Sequence, residues 1–332
     1  MRFFLGLFFV VAILAVFALG WVMWGGATIQ HSGEITIEEG SSAIAIWNKM
    51  ASERFTWRVL PWRYYAWRSG KANQIKAGKY RLEKGESVKT IINRLIAGDA
   101  IPDEFTITYP EGFTTEQMAS RTEARGIGTA QQFKDEVAHP ERYALSYAFI
   151  KDLPTGRNLE GYLFPDTYKV ADDDTPQEVI KRMLATFNAK FTDDLRQEAT
   201  TQKRTLDQIV IMASIIEREV LTDDDMATVS GVLWKRFDEG MGLDVDATVR
   251  YALNKWDEPL TVKDLQVDSP YNTRKYRGLP PGPISNPGLR ALIAAVRPQQ
   301  SDYYYYLSTP KGETIFSKTN DEHNANKAKY LR

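Results

Sequence analysis

The segment Ile209–Val220, IVIMASIIEREV, constrains the fold most, because it sets a carboxylic acid on the apolar side of a predicted helix. A helix advances about 100° per residue. With Ala213 as origin, Ile209, Met212, Ile216 and Val220 fall within roughly 100° to one side, and Val210 about 60° to the other. Glu217 lies between Ala213 and Val210. Glu219 falls about 120° from Ala213, at the edge of the stripe, and Arg218 points outward. One acid of the Glu-Arg-Glu triplet therefore faces the protein body. Enclosure disfavours the charged form, and a rise from about 4.3 to about 6 takes roughly 2.3 kcal/mol of differential desolvation. The result is a neutral acid able to give up a proton near pH 7. The ordinary alternative is a salt-bridged glutamate at a helix boundary, and the rest of the chain must decide between them.

At 332 residues the chain has room for two domains and a substantial core. Its 42 basic and 43 acidic side chains nearly cancel, which argues against a nucleic-acid partner. Cysteine is absent, and His31, His139 and His323 lie too far apart for ligand spacing, so no metal or cofactor is expected. Met-Arg is followed by Phe3–Trp24, an uncharged apolar run closed by Trp21 and Trp24. As helix it would span about 33 Å, enough for a hydrocarbon core of about 30 Å. We read it as an uncleaved single-pass anchor, with Arg2 favouring a cytoplasmic N-terminus. A cleaved signal peptide is the competing reading, but bulky Trp24 crowds the small-residue patch Gly25-Gly26-Ala27. The remainder would then lie outside the cytoplasm, in the periplasm or beyond the cell membrane.

A motif recurs three times after the anchor. Ile35-Thr-Ile-Glu-Glu-Gly40-Ser-Ser, Tyr80-Arg-Leu-Glu-Lys-Gly85-Glu-Ser and Ile107-Thr-Tyr-Pro-Glu-Gly112-Phe-Thr each lead into an amphipathic stretch. Each predicts a short strand, a glycine turn, a Ser or Thr suited to N-capping, then a helix. Residues 29–104 read as a small α+β module whose opening resembles the LysM-like glycan-binding domains; an ordinary packing unit would show the same pattern. Beyond 105 longer helices dominate: amphipathic Pro176–Ala199, the segment bearing Glu217, Asp224–Glu239, and Pro287–Val296. Tyr303–Leu307 and Thr314–Phe316 predict a terminal hairpin.

Several polar loops combine Gly, Pro, Asn and Tyr: Glu160–Tyr168, Leu243–Thr248, Ser269–Thr273 and Gly278–Gly288. Rigid loops can hold amides and hydroxyls at fixed positions, and aromatic faces beside them suit a sugar. Taken singly, each is also ordinary turn chemistry.

ASIIEREV at 213–220, EGYLFPDTY at 160–168, DATVRYAL at 246–253, SPYNT at 269–273 with GLPPGPISNPG at 278–288, and HNANKAKY at 323–330 occur together and in order. In this set the chain resembles the YceG-like (MltG-type) family of endolytic murein transglycosylases over nearly its whole length. Two positions depart from the family pattern. Arg274 stands where a Tyr is usual, with Tyr276 as a substitute aromatic, and Ala247 stands where a Pro is usual. The resemblance implies an α+β chain in three parts: transmembrane anchor 1–28, LysM-like module 29–104 and mostly helical catalytic domain 105–332. It further implies cleavage of the β-1,4 bond between N-acetylmuramic acid and N-acetylglucosamine in peptidoglycan, leaving 1,6-anhydro ends. Glu217 is carried over as catalytic, and Tyr162, Asp246, Ser269, Tyr271 and Asn272 as substrate-positioning groups.

Opposed carboxylates are the usual glycosidase arrangement. Glu219 projects about 200° around the helix from Glu217, so the two should not flank one bond. A single acid suffices if the substrate's own 6-hydroxyl replaces water, with Glu217 as acid and then base. Two other classes stay open: a hydrolase in which Asp246 or Glu160 activates water, and a non-enzymatic, membrane-tethered glycan-binding scaffold. An anchored site would meet nascent strands at the membrane, which makes glycan polymerases such as penicillin-binding proteins candidate partners, although no motif marks them.

Overall fold

The three glycine turns form, and each starts a helix. The computed structural model describes residues 28–56, 59–101, 104–220 and 222–331, with Val10, Ile13, Leu14 and Val16. Apart from those four residues, the run Phe3–Trp24 expected to be the anchor lies outside the described residues. Among the described residues no helix is long and apolar enough to cross a membrane. The fold is α+β, in two compact units that divide between Glu104 and Phe105.

In the first unit, β1 (Gly33–Ile37) runs through Gly40, at φ 77°, to Ser42. The Ser42 hydroxyl accepts the Ala45 N–H at 3.2 Å and opens α1 (Ala43–Ser52). After α2 (Val59–Ser69), β2 (Gly78–Leu82) returns antiparallel to β1, with Ile35 opposite Tyr80. Gly85 turns the chain, Ser87 caps α3 (Val88–Ala97), and left-handed Gly98 ends it. The period-2 alternation of the strands and the 3.6-residue stripe of the helices point at one core. It contains Ile35, Trp47, Met50, Trp62, Tyr80 and Leu95.

The division falls one residue into β3 (Glu104–Thr108), which pairs with β4 (Thr167–Ala171) in the second unit. The third glycine turn leads to α4 (Thr115–Ala124) through a capping box in which Thr114 and Gln117 satisfy each other's backbone N–H. Then come α5 (Ala130–Val137), α6 (Pro176–Lys190) and α7 (Asp193–Thr201). The amphipathic stretch read as continuous to Ala199 is therefore two helices. Phe191 leaves helical geometry (ψ 82°) to stack on Phe187, and the acids Asp193 and Asp194 start the next first turn.

The central element is α8 (Leu206–Ile216), capped by Thr205 with Gln208 and buried over nine of its eleven residues. A helix enclosed nearly all round must lie in the middle of its unit. α9 (Asp223–Asp238), α10 (Asp246–Leu253) and α11 (Leu289–Val296) follow, with α9 and α11 packed on α8. α11 starts two residues later than expected from Pro287, with Gly288 as its N-cap. The predicted hairpin forms as β5 (Tyr305–Ser308) antiparallel to β6 (Thr314–Ser317), and α12 (Asn320–Tyr330) ends the chain.

One expectation needs a correction that matters for the site. The helix predicted through Val220 stops at Ile216. Beyond it the bonds tighten: Arg218 N–H donates to Ile215 O and Glu219 N–H to Ile216 O, both at 3.0 Å. These three-residue steps break the regular four-residue repeat, although Val220 N–H still reaches Ile216 O at 3.4 Å and its side chain stays buried.

Candidate active site

Glu217 is the C-cap residue of α8. Its Oε2 accepts the Gly288 backbone N–H at 2.9 Å, at the start of α11. Burial pushes the carboxyl up to about 7; the Gly288 bond opposes the rise, the Glu111 carboxylate adds to it, and Arg290 and Arg218 pull it down. The acid expected from helical phase is thus partly buried and has its proton poised near neutrality.

The turn at Glu111-Gly112 closes over it. A methyl built on Gly112 would lie 3.3 Å from Arg218 Cδ and 3.5 Å from Glu217 Cγ. Arg218 donates to the Gly112 carbonyl at 3.2 Å and lays its guanidinium 3.9 Å from the Trp256 ring centre. Glu111 pairs with Arg290 at 3.5 Å, and its carboxylate fills the space that a side chain on Gly288 would need. Glu217 and Glu111 therefore converge on one glycine. Glu111 had no mark in the sequence beyond its place in the third turn.

Beneath these loops lies a fully enclosed hub, Asn286. Its Oδ1 accepts the N–H groups of Gly161 (2.8 Å) and Leu163 (3.0 Å), and its Nδ2 donates to Phe113 O (3.0 Å) and Glu160 Oε1 (2.8 Å). Its backbone bonds both ways with the same turn, Gly112 N–H to Asn286 O at 2.9 Å and Asn286 N–H to Phe113 O at 2.8 Å. Glu160 also accepts the Thr115 N–H at 2.9 and 3.1 Å and the Tyr251 hydroxyl at 3.4 Å. Burial pushes Glu160 up to about 7 against these donors. These donors come from Thr115, Tyr251 and Asn286, so Glu160 fastens three separate segments together. The rigid loop 278–288 was legible in the sequence, but the carboxamide that locks it was not.

The other residues carried over divide sharply. Tyr162 is wholly buried, stacks on Phe149 at 5.9 Å and donates to Asp207 at 3.1 Å. Asp207 belongs to the first turn of α8, at the opposite end from Glu217, so Tyr162 sits in the core and is not brought to the acid. Asn272 is likewise enclosed and donates to Leu265 O (3.1 Å) and Val267 O (2.9 Å). Ser269 turns the chain locally, accepting the Tyr271 N–H at 3.2 Å. Tyr271 packs against Tyr251 at 4.9 Å.

Asp246 is half-exposed and pairs with Arg274 at 2.5 Å. Tyr276 donates to Asp268 on the exposed surface. Glu219, expected at the edge of the stripe, is turned inward by the tightened helix end. It accepts the Tyr306 hydroxyl at 3.0 Å and the Ala247 N–H, and burial pushes it up to about 7. No group of acidic and histidine side chains among the described residues could hold a metal ion.

A carboxyl raised toward neutrality at a helix end, beside a backbone N–H that can hold its negative charge, has the properties that acid–base chemistry asks for. The chain belongs to the YceG-like family, which it matches over residues 35–329. It is similar to an endolytic murein transglycosylase of Bacillus subtilis, 35% identical over 90% of this chain and 84% of that protein. The enzyme of that name from Streptococcus pneumoniae is 27% identical over 90% of this chain and 58% of its own length. A crystal structure of a YceG-like protein from Listeria monocytogenes matches with a TM-score of 0.62 at 31% identity, covering 90% of this chain and 99% of that one.

Proposed function

We propose that this chain is a lytic transglycosylase that cuts peptidoglycan strands internally at the N-acetylmuramic acid–β-1,4–N-acetylglucosamine bond. The observation that carries this reading is the Glu217 carboxyl, raised to about 7 by burial beside the Gly288 N–H. Protonated Glu217 gives its proton to the glycosidic oxygen as the C1–O bond breaks. The carboxylate left behind is held by the Gly288 N–H and takes the proton of the muramic 6-hydroxyl. That oxygen bonds to C1 and closes the 1,6-anhydro ring. Glu217 ends protonated, no water is consumed, and no metal or cofactor takes part. Residues 1–28 would anchor the enzyme in the cytoplasmic membrane, with the bulk of the chain on the outer side. Residues 29–104, whose β1-α1-α2-β2 order suits a LysM-like module, would hold glycan near the bilayer. Digestion of purified sacculi with product mass analysis tests the reading, because the anhydro product is one water lighter than a hydrolysis product. Products carrying the added water would overturn it.

Hydrolysis is the second reading, and one observation favours it. Glu111 is a second carboxylate close to Glu217, and hydrolytic glycosidases work with a carboxylate pair. Asp246 and Glu160, the bases expected from the sequence, are engaged with Arg274 and with the loop donors. Glu111→Gln separates the two readings. Under transglycosylation the variant removes a neighbouring negative charge, so the Glu217 pKa falls and less of the acid is protonated at pH 7. The expected change is a drop of about two- to tenfold in kcat/KM at pH 7, with the alkaline limb of the rate profile moved to lower pH. A loss of about 10² or more at every pH would instead make Glu111 the base.

A further inference from the structure

We infer that the cleft between Phe113 and Trp256 is a saccharide-binding subsite that holds the glycan strand on one side of Glu217. The inference rests on the transglycosylase reading and names where the polymer lies. The cleft measures about 510 Å³, and its walls include Phe113, Gln117, Ser120, Asn254, Trp256 and Asp257. α4 forms one wall. The chain just after α10 forms the other, with Asn254 exposed at a left-handed cap (φ 49°).

Two observations connect this cleft to the acid. Phe113 follows Gly112, whose Cα position is packed against Glu217 and Arg218. Arg218, the next residue after the acid, lies across Trp256 and bonds the Gly112 carbonyl. The chemistry of the walls suits an N-acetylated sugar. The partly buried rings of Phe113 and Trp256 offer apolar faces for C–H groups and acetyl methyls, while Asp257, Asn254 and Gln117 match hydroxyls and amides. Arginines hold both rings in place: Arg121 sits 4.9 Å from the Phe113 centre and Arg218 3.9 Å from that of Trp256. Aromatic walls fixed in this way lose little freedom when a ligand arrives.

The test uses the full chain with Glu217→Gln to stop turnover, and chitohexaose as probe, followed by titration calorimetry. Ser120 is exposed on α4 and faces the cleft. Ser120→Tyr should fill it without touching the core, and Trp256→Ala should remove one wall. Each is expected to weaken chitohexaose binding by about tenfold or more, while Trp256→Phe stays within about threefold. In chains retaining Glu217, Ser120→Tyr should raise KM for sacculi more than it lowers kcat. Unchanged affinity in both Ser120→Tyr and Trp256→Ala overturns the subsite, as does absence of chitohexaose binding by the parent chain. Failure of the function reading looks different: sacculi would release no anhydro product even though binding still depends on the cleft.

Discussion

Glu217→Gln is expected to lower release of anhydro-muropeptides from purified sacculi by about 10³-fold or more, because one carboxyl supplies both proton transfers. Glutamine keeps the shape of the side chain and an oxygen to accept the Gly288 N–H, so the loops at residues 112 and 288 should stay in place. A second readout separates this from unfolding. Folding raises the carboxyl from 4.5 to about 7. Its contribution to stability is therefore present in full below pH 4.5 and is lost as pH climbs through 7. Glutamine buries no charge, so the variant should match the parent in thermal unfolding at pH 4 and exceed it at pH 8. Substantial anhydro product from this variant would move the catalytic role elsewhere. Glu219, also raised to about 7 and two residues away, would then be the first candidate.

Asn286→Ala should be the most damaging single change to stability within the site. It leaves the enclosed N–H groups of Gly161 and Leu163 without their acceptor, and takes one donor each from Phe113 O and Glu160, which keep their others. Each buried group left unpaired costs about 1–3 kcal/mol, so a total loss of roughly 4 kcal/mol is expected. Activity should fall with it, since the same residue ties the turn at Gly112 to the strand of loop that presents Gly288. Asn286→Asp is the sharper test. It retains acceptors for Gly161 and Leu163 but sets a second carboxylate against Glu160, so its penalty should grow as pH rises. Denaturant unfolding of the full chain measures both, and a cost below about 1 kcal/mol for the alanine variant would remove the hub from the account.

The parts of this molecule legible in the sequence are those decided by neighbours in the chain. Ser42, Ser87 and Thr114 cap the helices they precede because capping is a contact over three residues. The hairpin at Tyr305–Ser317 and the inward phase of Glu217 follow from periodicity in the same way. What the sequence concealed depends on distant partners. Nothing local ends α8 at Ile216; the turn after it is fixed where Glu219 meets Tyr306, 87 residues on. Tyr162 sits in a motif that reads as a sugar platform, yet its ring and hydroxyl are consumed by Phe149 and Asp207. Glu111 and Asn286 reach Glu217 only through the tertiary fold, and polar loops alone could not tell a lock from a ligand contact.

The recurring turn has a consequence for how such a site can be altered. Gly40, Gly85 and Gly112 share nearly the same left-handed backbone, yet only Gly112 has neighbours crowding the place of a missing side chain. At the first two positions an alanine would find open space and bear only the strain of its positive φ. At the third, handedness and room are separate demands. Alanine placed in turn at the three copies would therefore tell a bend kept for chain geometry from one kept clear for chemistry.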